Sequence, residues 1–80
     1  MDRKRAGRVD AADTGFAGRL KALRADAGLS QAELARLAGL GLGTVTKLEQ
    51  GLQGPSWAAV LALADVLGVP LDDFRPRPVE

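Results

Sequence analysis

The feature that most constrains the fold is a pair of very short helices predicted within residues 30–50. Residues 30–33 read S-x-x-E, in which Ser30 and Glu33 each satisfy a free backbone N–H at a helix start. Gly39 stops that helix, and roughly three residues later a helical apolar period resumes with Val45 and Leu48. The sequence therefore predicts two helices joined by a very short turn.

Residues suited to a steep helix crossing occupy seven positions of this segment: Leu34, Ala35, Ala38, Gly39, Leu40, Val45 and Leu48. The small side chain of Ala35 lets the two backbones approach, and Gly39 tolerates the positive φ of the turn. The remaining positions form a hydrophobic wedge that fixes the crossing angle. Leu37 is expected to join Leu34 and Ala38 in the core.

Three further helical elements are predicted around this pair. Phe16, Leu20 and Leu23 follow a helical period that Asp13 or Thr14 can cap and Gly28 ends. Ser56 can cap a helix from Trp57 to Leu67 that Gly68 closes, and Pro70 starts a short turn around residues 71–74.

The fold class that follows is an all-α, compact bundle of five short helices, because no alternating strand pattern occurs in the chain. The length of 80 residues allows one domain. We expect residues 1–14 to be a flexible basic arm, residues 15–75 to form the domain and residues 76–80 to be a tail.

The composition excludes several function classes. Cysteine and histidine are both absent, which removes disulfides, thiolate metal sites and the commonest general base. We therefore expect no enzyme, no cofactor, no metal site and no small-molecule substrate. No apolar run reaches the roughly 18 residues of a membrane span, so the sequence predicts a soluble, cytoplasmic protein with no membrane partner.

The net charge of +1 is smaller than that of an obvious nucleic-acid binder, but its distribution is uneven. The basic residues of the arm are Arg3, Lys4, Arg5 and Arg8. They could enter a minor groove or bind phosphates without sequence preference. A tail that only keeps the protein soluble explains them equally well.

The segments LSQAELARLAG, TVTKLEQG and PSWAAVLALADVLGVPLDDF together resemble the Cro/repressor-type helix-turn-helix domains of phage repressors and small bacterial regulators. The resemblance covers residues 16–74. It implies a lambda-repressor-like fold of five short helices whose third helix enters the major groove of double-stranded DNA. It also implies a transcriptional regulator, with repression by operator occupancy as the expected mode.

The resemblance assigns DNA contacts to eight residues of this chain: Gln31, Leu42, Gly43, Thr44, Thr46, Lys47, Gln50 and Gln53. Gln31 matches a glutamine that touches a phosphate and helps orient the third helix, although it is also an ordinary first-turn residue. Lys47 can reach a guanine or a phosphate, and its alternative is a solvated lysine near a helix C-terminus. Gln50 and Gln53 are candidates for backbone contacts.

The start of the third helix departs from the family, because Gly41, Leu42 and Gly43 carry no hydrogen-bonding side chain. The glycines could let backbone N–H groups approach a phosphate. Alternatively, Leu42 and the methyl groups of Thr44 or Thr46 could contact thymine methyl groups. A third interpretation is a loose helix start with low specificity, since an interior glycine costs about 1 kcal/mol relative to alanine.

Relatives often pair an arginine late in the first helix with the glutamate before the glycine that closes the third. This chain has both, so the resemblance predicts an ion pair between Arg24 and Glu49.

The fourth predicted helix is apolar almost all round, with Asp65 as its only charged residue. The residues expected in the core are Val60, Leu63, Ala64 and Leu67. Those expected to be partly free are Ala58, Ala59, Leu61, Ala62 and Val66. We expect them, with residues 69–71, to form a homodimer surface, although alanine also favours exposed helices by itself. The alternative function is a protein-interaction module or antitoxin-like partner with weak or no DNA specificity.

Overall fold

The predicted pair of short helices is present in the computed structural model, which describes residues 15–75. The elements in chain order are α1 (Phe16–Asp26), α2 (Gln31–Ala38), α3 (Leu42–Gln50), α4 (Trp57–Leu67) and a 3₁₀ turn (Leu71–Phe74). This part of the chain contains no strand. The all-α prediction is confirmed, with the fifth element a 3₁₀ turn rather than an α-helix.

The ends of the helices follow local sequence chemistry. The hydroxyl of Ser30 accepts a hydrogen bond from the N–H of Glu33, whose side chain accepts one from the N–H of Ser30, so the predicted capping box is confirmed. At α4 the hydroxyl of Ser56 accepts a hydrogen bond from the N–H of Ala59, without a reciprocal bond. Gly39 closes α2 at a φ of 72°, where a side chain would be strained.

The first helix begins at Phe16, as the sequence predicts. Gly15 precedes the helix, and no side chain of the described residues caps it. The predicted caps Asp13 and Thr14 lie outside the described residues, as do the expected arm (1–14) and the end of the chain (76–80).

The core sits where all four helices meet. Its fully buried side chains are Leu20, Leu34, Val45, Leu48 and Leu63. The 3₁₀ turn brings Phe74 back onto α1, where its ring stacks on that of Phe16 with centroids 5.2 Å apart. Both ends of the described chain are thereby packed together.

All seven positions of the predicted corner behave as expected. Leu34, Ala35, Val45 and Leu48 are buried, and Ala38 and Leu40 pack against them. After Gly39, the N–H of Leu40 donates to the carbonyl of Ala35 at 2.9 Å, which directs the chain into α3.

Two burial predictions are wrong. Leu37 is 50% exposed, because it lies roughly 100° around α2 from the stripe formed by Leu34, Ala35 and Ala38. Ala59 is buried, because it lies one turn before Leu63 on the core stripe of α4. Val66 is half-buried against the same core.

Within residues 15–75, none of the helices has the length and apolar character that a membrane crossing requires.

Candidate nucleic-acid interface

The helix α3 has one buried face and one outward face. Val45, Leu48 and Glu49 are buried against the other helices. The outward face carries residues from the predicted site: Leu42, Gly43 and Lys47 are exposed, and Thr44 and Thr46 are half-buried. The steep corner with α2 holds this outward face away from the core. A surface of this shape can contact a large partner without unfolding any part of the domain.

Gln31 ties the start of α2 to α3. Its amide Nε2 donates to Glu49 Oε1 at 3.0 Å, and its Oε1 accepts from the hydroxyl of Thr46 at 3.3 Å. The predicted link from this glutamine to the third helix is therefore present. Its phosphate contact stays a prediction, for which the side chain is suitably half-exposed.

Glu49 is the buried acceptor at the centre of this arrangement, and only 4% of the residue is exposed. Arg24 donates to it twice, from Nε to Oε2 at 2.6 Å and from Nη2 to Oε1 at 3.0 Å. A third guanidinium nitrogen, Nη1, donates to the carbonyl of Leu29 at 2.8 Å. The predicted ion pair is confirmed, and it joins α1 to α3 in the planar geometry that arginine and carboxylate prefer.

The charge of this carboxylate is favoured despite its burial. Burial raises the pKa of Glu49, but hydrogen bonds from Arg24 and Gln31 and the nearby charges of Arg24 and Lys21 together hold the pKa below its ordinary value. The hydrogen bond to Glu49 raises the pKa of Arg24 in turn, against the effect of partial burial. Both groups are therefore ionised at neutral pH.

The start of α3 has no comparable support. Gly41 is its N-cap residue, at φ −73° and ψ 149°, and no side-chain cap is present. A Cβ at Gly41 would lie 3.8 Å from the hydroxyl of Thr44, and one at Gly43 would meet nothing within 4 Å. Neither glycine is required by the backbone conformation or by packing within the described chain. At these positions no side chain accepts a hydrogen bond from the first N–H groups of α3.

The other predicted site residues lie towards the end of α3. Lys47 is exposed in the last turn, and its carbonyl accepts from the N–H of Leu52 at 2.9 Å. Gln50 ends the helix and Gln53 lies in the following loop, both exposed. These side chains offer a cation and amide donors, which are suited to phosphate oxygens.

A second exposed surface lies on α4 and the 3₁₀ turn. Trp57 is 66% exposed, Leu61 41% and Leu71 40%, and Ala58 is also exposed. We call Trp57, Ala58, Leu61 and Leu71 the apolar face. The sequence interpretation included Leu61 but missed Trp57. The signal was available, because Trp57 precedes Leu61 by four residues and so lies on the same side of the helix.

The comparisons with known proteins agree with this geometry. The family description "Helix-turn-helix domain" matches residues 16–76. The crystal structure of the restriction-modification controller protein C.AhdI from Aeromonas hydrophila is similar, with 36% sequence identity and a TM-score of 0.73, covering 76% of this chain and 92% of that chain. No curated protein matches. These findings confirm the resemblance to helix-turn-helix domains.

Proposed function

Because this chain belongs to the helix-turn-helix domain family, we propose that it regulates transcription by placing α3 in the major groove of double-stranded DNA. The observation that carries the proposal is the division of α3 into two faces. Val45 and Leu48 are buried, while Leu42 and Lys47 on the other side are exposed. A helix held in this way fits the width of a B-DNA major groove.

The proposed contacts divide into positioning and readout. Gln31 and Lys47 contact phosphates, with Gln50 and Gln53 supporting the same backbone, and these contacts fix the register of the domain. Leu42, Gly43, Thr44 and Thr46 face the base edges. The N–H groups near Gly43, which no side chain caps, suit an approach to a phosphate, while exposed Leu42 suits a thymine methyl group.

We propose a repressor that acts by occupying an operator. The similar structure is named a restriction-modification controller protein, which supports a regulatory role for a chain of this fold. All of the proposed contacts serve binding and positioning, and we assign no catalytic role to any of them. Arg3, Lys4, Arg5 and Arg8 of the N-terminal arm would add electrostatic contacts with DNA.

We further propose a homodimer through the apolar face. Trp57 and Leu61 are both apolar and exposed, and they lie one helical turn apart on α4. Large aromatic side chains are enriched where proteins associate. Leu71 on the following turn is also exposed and lines a cleft with Val60 of α4. A two-fold dimer would place two α3 helices about 34 Å apart, which predicts an inverted-repeat operator.

The experiment is selection of bound duplexes from random DNA, followed by affinity measurements across a salt series. We expect a preferred sequence and a loss of affinity with rising salt, at about 0.9 log units per log unit of salt for each neutralised phosphate. Lys47→Ala should reduce that slope by about 0.9, the contribution of one neutralised phosphate. Equal binding to all duplexes, with no selected sequence, would contradict the proposal.

The second candidate function is a protein-interaction module or antitoxin-like partner. The exposed apolar face favours it, since an exposed tryptophan beside exposed leucines is the usual surface of a protein contact. This candidate predicts no binding to any duplex at low salt. Sedimentation analysis then shows whether the full chain self-associates and whether Trp57→Ser abolishes this self-association. The dimeric regulator needs self-association for tight operator binding, whereas the interaction module does not.

A further inference from the structure

The hydrogen bonds around Glu49 form a series whose donors all point towards its carboxylate. Arg24 donates to Glu49, Gln31 donates to Glu49, and Thr46 donates to Gln31. The series runs from a buried ion pair to the hydroxyl of Thr46, a half-buried residue of α3. Its direction decides which kind of hydrogen bond that hydroxyl has left to offer.

The first step is fixed by the chemistry of the ion pair. A guanidinium has only donors, and an ionised carboxylate has only acceptors. Arg24 occupies both oxygens of Glu49 on one side, at 2.6 and 3.0 Å. Glu49 Oε1 therefore has an acceptor site for Gln31 and no proton to give.

The second step fixes the orientation of the Gln31 amide. A flipped amide would point its oxygen at Glu49 and place two acceptors against each other in a poorly hydrated site. Only the NH₂ group can face the carboxylate, so the amide oxygen must face Thr46, as the 3.0 and 3.3 Å contacts show. The ion pair thus determines an orientation that an isolated glutamine would not have.

The third step concerns the Thr46 hydroxyl, which has one proton and two lone pairs. The proton points to the oxygen of Gln31. The Thr46 hydroxyl therefore keeps only its lone pairs for a further partner, and it can accept a hydrogen bond but not donate one. Gln31 in turn keeps one free N–H on the half-exposed side of its amide.

We infer that Thr46 reads DNA as a hydrogen-bond acceptor and selects a base with an exocyclic amino group in the major groove. The groups that fit are the N6 amino group of adenine and the N4 amino group of cytosine. Guanine O6 and N7 and thymine O4 offer only acceptors and are disfavoured at this position. The inference rests on the proposed function, since it assigns the specificity of the same surface.

The test begins with the duplex that the full chain selects from random DNA. Each adenine of that site is replaced in turn by purine, and each cytosine by pyrimidin-2-one, which removes the amino group and with it one Watson–Crick hydrogen bond. The weakened base pair affects the natural chain and Thr46→Val alike, so the comparison of the two isolates the protein contact. Affinities are then measured for the natural chain and for Thr46→Val. We expect one amino group whose removal costs about fivefold in affinity. Thr46→Val should lose a similar factor on the natural duplex and nothing further on the duplex lacking that amino group.

Four protein variants make the readout specific. Thr46→Ser keeps the hydroxyl and should keep the dependence on the amino group. Thr44→Val removes the other threonine hydroxyl of α3, which no hydrogen bond of the described residues orients, and should leave the dependence unchanged. Gln31→Met releases the proton of Thr46, so binding should become more tolerant of guanine or thymine at that base pair. Gln53→Met is its control: it should lower affinity for all duplexes alike through the lost backbone contact and leave the base preference at that pair intact.

The outcomes separate the inference from the function on which it rests. If a sequence is selected but Thr46→Val shows no dependence on any amino group, the inference is wrong and the DNA-binding proposal stands. If Thr46→Ser loses affinity while Thr46→Val keeps it, the threonine methyl group carries the contact and the inference is again wrong. If no sequence is selected, the proposed function fails and the inference fails with it.

Discussion

The two helices of the corner are held in opposite ways. The start of α2 is fixed locally, by the reciprocal hydrogen bonds of Ser30 and Glu33. The start of α3 has Gly41 as its N-cap and no side-chain cap, and the helix is held from its middle and far end by buried Val45, Leu48 and Glu49. The difference shows which interactions fix the start of each helix. One helix is set by its own sequence, whereas the other is set by tertiary contacts that leave its start free for a partner.

The largest effect is expected from Glu49→Ala. It leaves the guanidinium of Arg24, only 19% exposed, without its partner, so we expect the free energy of unfolding to fall by about 3 kcal/mol. The control is Asp72→Ala, because the Asp72–Arg75 pair is exposed on both sides and should contribute less than about 1 kcal/mol. Urea unfolding of both variants measures the difference. Similar losses for the two would contradict tertiary control of α3.

A smaller effect is expected from acid. The pKa of Glu49 is lowered in the folded chain, so the unfolded chain takes up a proton near the ordinary value of 4.5 while the native carboxylate stays charged. The stabilisation is thus complete above that pH and is lost as the pH falls through the lowered pKa. The groups that lower the pKa of Glu49 are Arg24, Gln31 and Lys21.

Melting temperatures from pH 7 to pH 2 should therefore fall less steeply for Glu49→Gln than for the natural chain. Glu33, whose pKa is also lowered, by hydrogen bonds from the backbone and side chain of Ser30, is present in both and cancels in the comparison. Parallel curves would show that the carboxyl titrates alike in the folded and unfolded chains.

Local control of α2 is tested by Ser30→Ala. Removal of the cap should cost about 1 kcal/mol in the free energy of unfolding. Hydrogen exchange should quicken first at the start of α2, because the lost contact lies there. Ser56→Ala gives the matched loss at α4. If Ser30→Ala exposed α3 before α2, the two helices would not differ as described.

Much of the fold could be predicted from the sequence because its signals are local. The capping box, Gly39 and the seven corner positions each depend on neighbours a few residues away. Leu37 and Ala59 were placed wrongly because a leucine or alanine fits either side of a short helix, and only the packing of the helices decides which side is buried. The resemblance supplied the ion pair of Arg24 and Glu49, which no local pattern contains.

The candidate site was less accessible to sequence reasoning. Its members could be named from the resemblance, but the bonds from Gln31 to Glu49 and Thr46 join residues 18 and 15 positions apart in the chain. They depend on the crossing angle of α2 and α3. The DNA contacts themselves stay a prediction.

The loose start of α3 is tested by Gly43→Ala. The added methyl group meets nothing within 4 Å, so the variant should be more stable, by up to about 1 kcal/mol. Thermal unfolding measures this gain, and a duplex titration measures the effect on DNA. Weaker binding by the stabilised variant indicates close backbone approach at this glycine. A loss of stability would show that the position is more crowded than described.

The smallest effect is expected from Gly41→Ser, which gives α3 the hydroxyl cap that α2 has. The backbone at Gly41 suits any residue, so the free energy of unfolding should rise by a few tenths of a kcal/mol, about the difference between serine and glycine as caps. Replicate urea titrations can resolve the sign. A clear destabilisation would mean that the start of α3 is already constrained.

The central claim is that the outward face of α3 lies in the major groove. Dimethyl sulfate probing of the selected duplex tests it most directly, since the reagent methylates guanine N7 in the major groove and adenine N3 in the minor groove. We predict protection of guanine N7 within the selected site, lost when the chain is withheld, with adenine N3 reacting freely at the A·T pairs of the same site. Protection confined to adenine N3, or none at a saturating concentration of the chain, would contradict the account.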